Sequence, residues 1–180
     1  TEREIPTLRR ELGSRFSWQH RLVAELPRTW RFRFEDGGAA EHAEWWQPTF
    51  DDTGWSNARV DRTWQQQGLK ETGFKGAGWY RATFDLPESA AEDKLVLRFE
   101  GMDAAGKVWV NGKLIGEHTF VPDVSWKTPC EIDVAGVLIP GRNHVAVRVY
   151  TGGGSGGLYR PVRLLEPSDV ILIRPDDRRA

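Results

Sequence analysis

The chain has a single cysteine, Cys130, among 180 residues. One thiol allows no disulfide framework and no Cys-x-x-Cys metal clip, and it leaves the redox compartment open. No apolar run reaches the roughly 18 residues that a membrane-crossing helix needs. No charged-then-apolar leader opens the chain. Its first residue is Thr1, which fits removal of a leader or of an upstream domain. An excess of either charge is missing too: 25 Lys and Arg stand against 26 Asp and Glu, for a net charge of −1. That balance argues against nucleic acid as the partner, because phosphate binding needs a basic face. There is no Gly-x-Ser-x-Gly elbow, and the four histidines, His20, His42, His118 and His144, show no ligand spacing. The run Gly152–Gly157 resembles a phosphate loop in composition alone, since no Lys-Ser/Thr follows it.

What the chain does have is aromatic mass. Nine Trp, eight Phe and three Tyr make up 11% of it. Such an excess serves either a tryptophan-rich core or a surface that stacks on sugar rings. The 19 Gly and 10 Pro are spread along the chain, as in short strands joined by turns. Trp30, Phe32 and Phe34 alternate with Arg31 and Arg33, the period of a half-buried strand. Further alternation predicts strands at 59–62, 79–86, 94–100, 107–110, 113–118, 130–134, 144–150, 158–165 and 169–174. Asn111-Gly112 predicts a tight hairpin, because both turn residues accept positive φ. Residues 135–142 read as one turn of helix. The organisation expected is an arm over 1–27 that packs on the body, a sandwich over 28–175 and a tail over 176–180. Many short strands with almost no helix give an all-β fold, an antiparallel β-sandwich. Leu95, Leu97, Phe99, Val145, Val147 and Val149 face inward, Trp79 and Trp109 pack on the sheet, and Cys130 is inert core.

Several motifs recur in a known order. They include Phe50-Asp51-Asp52-Thr53-Gly54-Trp55, Trp64, Gly78-Trp79-Tyr80-Arg81, Val108-Trp109-Val110-Asn111-Gly112 and Gly157-Leu158-Tyr159-Arg160-Pro161. Over about residues 28–166 the chain resembles the N-terminal sugar-binding jelly-roll domain of glycoside hydrolase family 2, the β-galactosidase and β-glucuronidase group. The resemblance implies a jelly-roll, galactose-binding-like sandwich. It implies a non-catalytic carbohydrate-binding module of a polysaccharide-degrading enzyme, with oligo- or polysaccharide as partner. The catalytic carboxylates would lie in a separate barrel of the same parent chain, in a secreted or periplasmic bacterial enzyme. The rival reading is a structural sandwich that braces the catalytic barrel and binds nothing alone. A third, the sandwich part of an esterase or lyase, lacks a nucleophile constellation.

Strand parity locates a site independently. In an antiparallel sandwich successive connections alternate between two ends. Loops 62–77, 101–106, 119–128 and 151–157 then share one end. They hold Trp64, Gln65, Gln67, Asp103 and Trp126, with Arg160 just past the glycine run. Stacking rings and hydrogen-bonding amides and carboxylates are what a sugar requires. The expectation is that Trp64 and Trp126 flank a pyranose and that Asp103, Gln65 or Gln67 meet its hydroxyls. Arg160 would add a donor or favour an acidic sugar, and the glycine run would leave open space. For both tryptophans, packing is the alternative to ligand contact. No cofactor is required; Asp51 and Asp52 could hold a structural Ca²⁺. An Asx cap on the turn is the favoured alternative.

Overall fold

The structure, a computed structural model, describes residues 16–36, 43–86, 94–103, 105–119 and 127–173, with side chains described from 20 to 167 of these. Ten strands follow in order: β1 (Phe16–Glu25), β2 (Thr29–Phe34), β3 (Ser56–Arg59), β4 (Lys75–Leu86), β5 (Val96–Phe99), β6 (Ala105–Val110), β7 (Lys113–His118), β8 (Cys130–Asp133), β9 (Gly141–Gly152) and β10 (Val162–Ile173). They form two sheets, β1-β10-β5-β8 and β3-β2-β4-β9-β6-β7, and the pairings within each are antiparallel. No helix occurs among the described residues. The protein is an all-β, antiparallel sandwich.

Period-two patterning sorts the side chains between two faces. Leu95, Leu97 and Phe99 from one sheet meet Val145, Val147 and Val149 from the other, all fully buried. Asn111 and Gly112 take φ values of 50° and 82°, the positive pair the hairpin demands.

The six-stranded sheet also carries a second core on its outer face. Trp79 and Trp109 point away from the first core and stack at 5.0 Å between ring centroids. Residues 43–55 lie over them and contribute Trp45, Trp46, Phe50 and Trp55. Trp46 stacks on Trp109 at 5.7 Å. Arg81 anchors this cover. It is 2% exposed, and its Nε donates to Asp52 Oδ2 at 2.7 Å. Its terminal nitrogens donate to the carbonyls of Trp45, Gln47 and Phe50. A guanidinium can be buried because all of these donors are satisfied.

Four local expectations change. Residues 16–25, read as part of an arm, are a strand hydrogen-bonded to β10 along the sheet edge. The short strand expected at 59–62 lies at Ser56–Arg59, because the side chains that match the β2 register are Ala58 and its neighbours. The two runs expected at 158–165 and 169–174 give one strand from Val162; Leu158 and Tyr159 make only isolated bridges. Residues 135–140 form a turn and a bend rather than a helical turn, and 141–142 already belong to β9. Asn143, fully buried, holds that loop through Ile139 and Gly141, so side-chain bonds replace helical ones.

Candidate functional site

The loop end is assembled by backbone bonds between segments distant in sequence. Trp64 N donates to Gly156 O at 2.9 Å, Asp103 N to Gly157 O at 3.1 Å, and Tyr159 N to Gly101 O at 3.1 Å. Loops 60–74, 100–103 and 153–161 therefore converge, as strand alternation requires. Between them lies a cleft of about 330 Å³ lined by Thr63, Asp103, Ser155 and Tyr159.

The chemistry there is polar. Asp103 brings a carboxylate, Thr63 and Ser155 bring hydroxyls, and Tyr159 brings a phenol. Burial raises the Tyr159 hydroxyl above its ordinary pKa, with Arg160 opposing and Asp103 reinforcing the shift. The phenol thus stays protonated and can donate. Arg160 is exposed at the rim, its guanidinium 5.9 Å from the Tyr159 ring centroid. The arrangement can exchange hydrogen bonds with vicinal hydroxyls.

Trp64 is not part of this surface. It is fully buried, and its Nε1 donates to the Tyr80 hydroxyl at 2.7 Å. Its ring lies among Phe32, Phe34 and Phe74. The glycine run explains how a loop tryptophan reaches the core. A Cβ on Gly156 would fall 1.9 Å from Trp64 Cε3, and one on Gly157, at φ +109°, would fall 2.8 Å from the Tyr80 hydroxyl oxygen. These two glycines let the loop lie flat on the indole; they close space rather than leave it open. Trp64 offers no face to a ligand, and the expectation of stacking there is corrected.

Gln67 is also used internally. Its Oε1 accepts from Arg59 N at 2.7 Å, and its Nε2 donates to the carbonyls of Arg59, Arg62 and Thr63. That amide fixes the loop, with its NH₂ donors and one acceptor position spent on backbone. Gln65 is half-buried, and its Nε2 reaches Glu71 O and Gly154 O at 3.3 and 3.4 Å. Asp103 lines the cleft, whereas Trp126 lies outside the described residues. Thr63, Ser155 and Tyr159 were not singled out as ligands. The available signal was their position flanking Trp64 and the glycine run.

At the carboxylate pair, Asp51 Oδ1 accepts from Thr53 N at 3.0 Å, an Asx cap that lowers the Asp51 pKa. Asp52 is committed to Arg81. Among the described residues no group of three or more His, Cys, Asp or Glu could hold a metal ion. The ligand set suggested for Ca²⁺ at Asp51 and Asp52 is therefore engaged elsewhere.

A family model described as glycosyl hydrolases family 2, sugar binding domain, matches residues 68–159. The chain belongs to that family. A β-galactosidase of Priestia megaterium is 28% identical over 147 residues, covering 68% of this chain and 13% of that protein. A β-galactosidase of Arthrobacter sp. (strain B7) is 30% identical over 153 residues, covering 64% of this chain and 14% of that protein. The chain spans a third or less of the curated relatives it matches, 15%, 13% and 33% in three of them. Among solved structures, apo β-glucuronidase from Ruminococcus gnavus superposes with a TM-score of 0.68 at 20% identity, over 84% of this chain and 30% of that one. A calcium-binding mutant of Bacteroides uniformis β-glucuronidase 2 superposes with a TM-score of 0.62 at 25% identity, over 83% of this chain and 18% of that one. This domain of family 2 enzymes is an N-terminal part and not the catalytic one.

Proposed function

We propose that the chain is a non-catalytic accessory domain of a family 2 glycoside hydrolase, which meets saccharide by hydrogen bonds at the loop end, beside a catalytic domain of the same parent chain. The carrying observation is the cleft in which Asp103, Thr63, Ser155 and Tyr159 converge on a backbone pinned by glycines. Relatives named β-galactosidase and solved neighbours named β-glucuronidase support saccharide as the ligand class. Arg160 at the rim suits a sugar bearing a carboxylate.

The test is a ¹⁵N NMR titration of the chain with methyl β-D-galactopyranoside and methyl β-D-glucuronide. Hydrogen bonds without a stacking ring give a weak site, with a Kd of roughly a millimolar. Shifts should centre on Asp103, Ser155 and Tyr159, and Asp103→Asn should weaken them without lowering the melting temperature. Shifts absent from these residues at saturating sugar would refute the reading.

A second reading has one observation in its favour. The described tryptophans with known burial, apart from half-buried Trp46, are all packed in the two cores. A sandwich that spends its aromatics this way suits a brace for a catalytic barrel. Failure of the titration would leave that reading standing.

A further inference from the structure

The outer face of the six-stranded sheet holds a groove outside the loop-end cleft. It has a volume of about 320 Å³ and is lined by Ala105, Gly106, Lys107, Glu117, His118, Thr119, Arg148 and Tyr150. Tyr150 supplies the phenol ring of its lining. Alternation along β9 sends Val145, Val147 and Val149 inward and Tyr150 outward, where it is 43% exposed. The cross-strand neighbours of Tyr150 are Ala77 on β4 and Ala105 on β6. Two methyl side chains cannot cover a phenol ring, so the ring stands above both flanks.

Charged groups in ion pairs stand beside it. Lys107 Nζ lies 3.2 Å from Glu117 Oε1, and Arg148 Nε donates to Glu35 Oε2 at 2.6 Å. The half-exposed Lys107–Glu117 pair balances charge without fixing either side chain, whereas the more buried Arg148–Glu35 pair holds its guanidinium in place. An exposed aromatic ring bordered by donors and acceptors, with little net charge, matches a pyranose, whose CH face is apolar and whose edge carries hydroxyls. A nucleotide or an acidic polymer would need an uncompensated cation.

Two of the groove's strands end toward the loop end: β6 starts at Ala105 and β9 stops at Gly152. Ala105 is two residues past Asp103 on one segment, and Tyr150 is five residues before Ser155 on another. We infer that an oligosaccharide runs from the loop-end cleft onto this face, and that Tyr150 is the stacking platform for a sugar unit beyond the first. The inference rests on the cleft reading above for the first unit and assigns the second independently. It places aromatic stacking at a residue other than the buried Trp64.

The experiment compares binding of cellobiose, cellotetraose, β-1,4-galactotetraose and the two methyl glycosides to the parent chain, Tyr150→Ala, Tyr150→Phe and Asp103→Asn, by NMR titration. The parent should bind one tetrasaccharide more tightly than a methyl glycoside, with shifts spreading to Ala105, Lys107 and Tyr150. Tyr150→Ala should lose about 2- to 10-fold in tetrasaccharide affinity, the range of an aromatic contact. It should leave monosaccharide binding and the melting temperature unchanged. Tyr150→Phe should keep the parent affinity. Equal affinity of the parent for mono- and tetrasaccharides would overturn the groove and spare the cleft, as would a Tyr150→Ala variant that binds like the parent. Tetrasaccharide binding lost in Tyr150→Ala but kept in Asp103→Asn would overturn the cleft and uphold the groove. No binding by any probe would overturn both.

Discussion

Trp64 gives the sharpest test, because sequence and structure assign it opposite consequences. A tryptophan on a binding surface, cut to alanine, weakens sugar binding and barely moves the melting temperature. In the structure the same truncation empties a site that is fully enclosed. The indole touches Phe32, Phe34 and Phe74, and it lies under Gly78 and Gly156, whose missing side chains make its space. Tyr80 is fully buried as well, and its hydroxyl would lose the Trp64 Nε1 donor while keeping Leu158 N at 3.3 Å. Large-to-small changes of buried aromatics cost roughly 3–5 kcal/mol. The weakened partnership of the Tyr80 hydroxyl places Trp64→Ala toward the upper end. At about 2–4 °C per kcal/mol for a chain of this size, the melting temperature should fall by roughly 6–20 °C. Trp64→Phe keeps much of the bulk but not the hydrogen bond, and should cost about 1–2 kcal/mol. Thermal unfolding by circular dichroism, with urea titration to check that the m-value holds, measures both. A Trp64→Ala protein that melts within about 2 °C of the parent and binds saccharide less well would refute the burial argument.

Other perturbations follow from named contacts. Gly156→Ala places a methyl 1.9 Å from Trp64 Cε3, so the loop must lift; the cost should be about 1–3 kcal/mol by chemical denaturation, with new shifts around Ser155. Asp52→Ala removes the carboxylate on buried Arg81 and should cost on the order of 3 kcal/mol, with loosening of residues 43–55 read as faster hydrogen exchange. EDTA should leave the melting temperature unchanged, since Asp51 caps a turn and Asp52 pairs with Arg81; a fall on chelation would point to a metal. His144 should make the domain acid-sensitive. Burial and the adjacent Arg81 hold its pKa down to about 4, against 6.5 for the ordinary side chain. Below pH 6.5 the unfolded chain takes up a proton that the folded chain refuses until about pH 4. Stability is therefore full above 6.5 and falls as pH drops to about 4, by on the order of 3 kcal/mol. His144→Gln should flatten that part of the stability profile, and an unchanged profile would exclude His144 as its source.

The strands were legible wherever alternation was clean. Leu95, Leu97 and Phe99, and Val145, Val147 and Val149, read inward from sequence and are inward. Asn111-Gly112 named its own turn. Strand β1 was not legible, because its register shifts between Trp18 and His20 and again between Leu22 and Ala24, which breaks the period a reader relies on. Strand parity brought the loops around Trp64, Asp103 and the glycine run to one end, where the structure has them. It could not tell Trp64 from a surface residue, since Trp64 is followed by three glutamines and sits between polar segments. Its burial depends on glycines at 78, 156 and 157, and only folding brings those positions to it.

Of the two readings of the aromatic content, the tryptophan-rich core is the one the described residues show, and it is a double core. A sheet with one wet face spends its large side chains on the other. Here both faces of the six-stranded sheet are dry over much of their area, so each needs its own aromatic layer. Trp79 and Trp109 alternate with Tyr80, Val108 and Val110 on the same strands, and tryptophan therefore recurs on the face that a single-core reading leaves to solvent. The outer layer is not free to open toward a ligand, because Arg81 ties three of its carbonyls and Asp52 to the sheet. On the proposed reading, recognition falls to the polar ends of the strands around Asp103 and to the part of β9 where Tyr150 is 43% exposed between two alanines. Affinity in such a protein should track polar geometry and the Tyr150 ring rather than the tryptophans packed in the two cores.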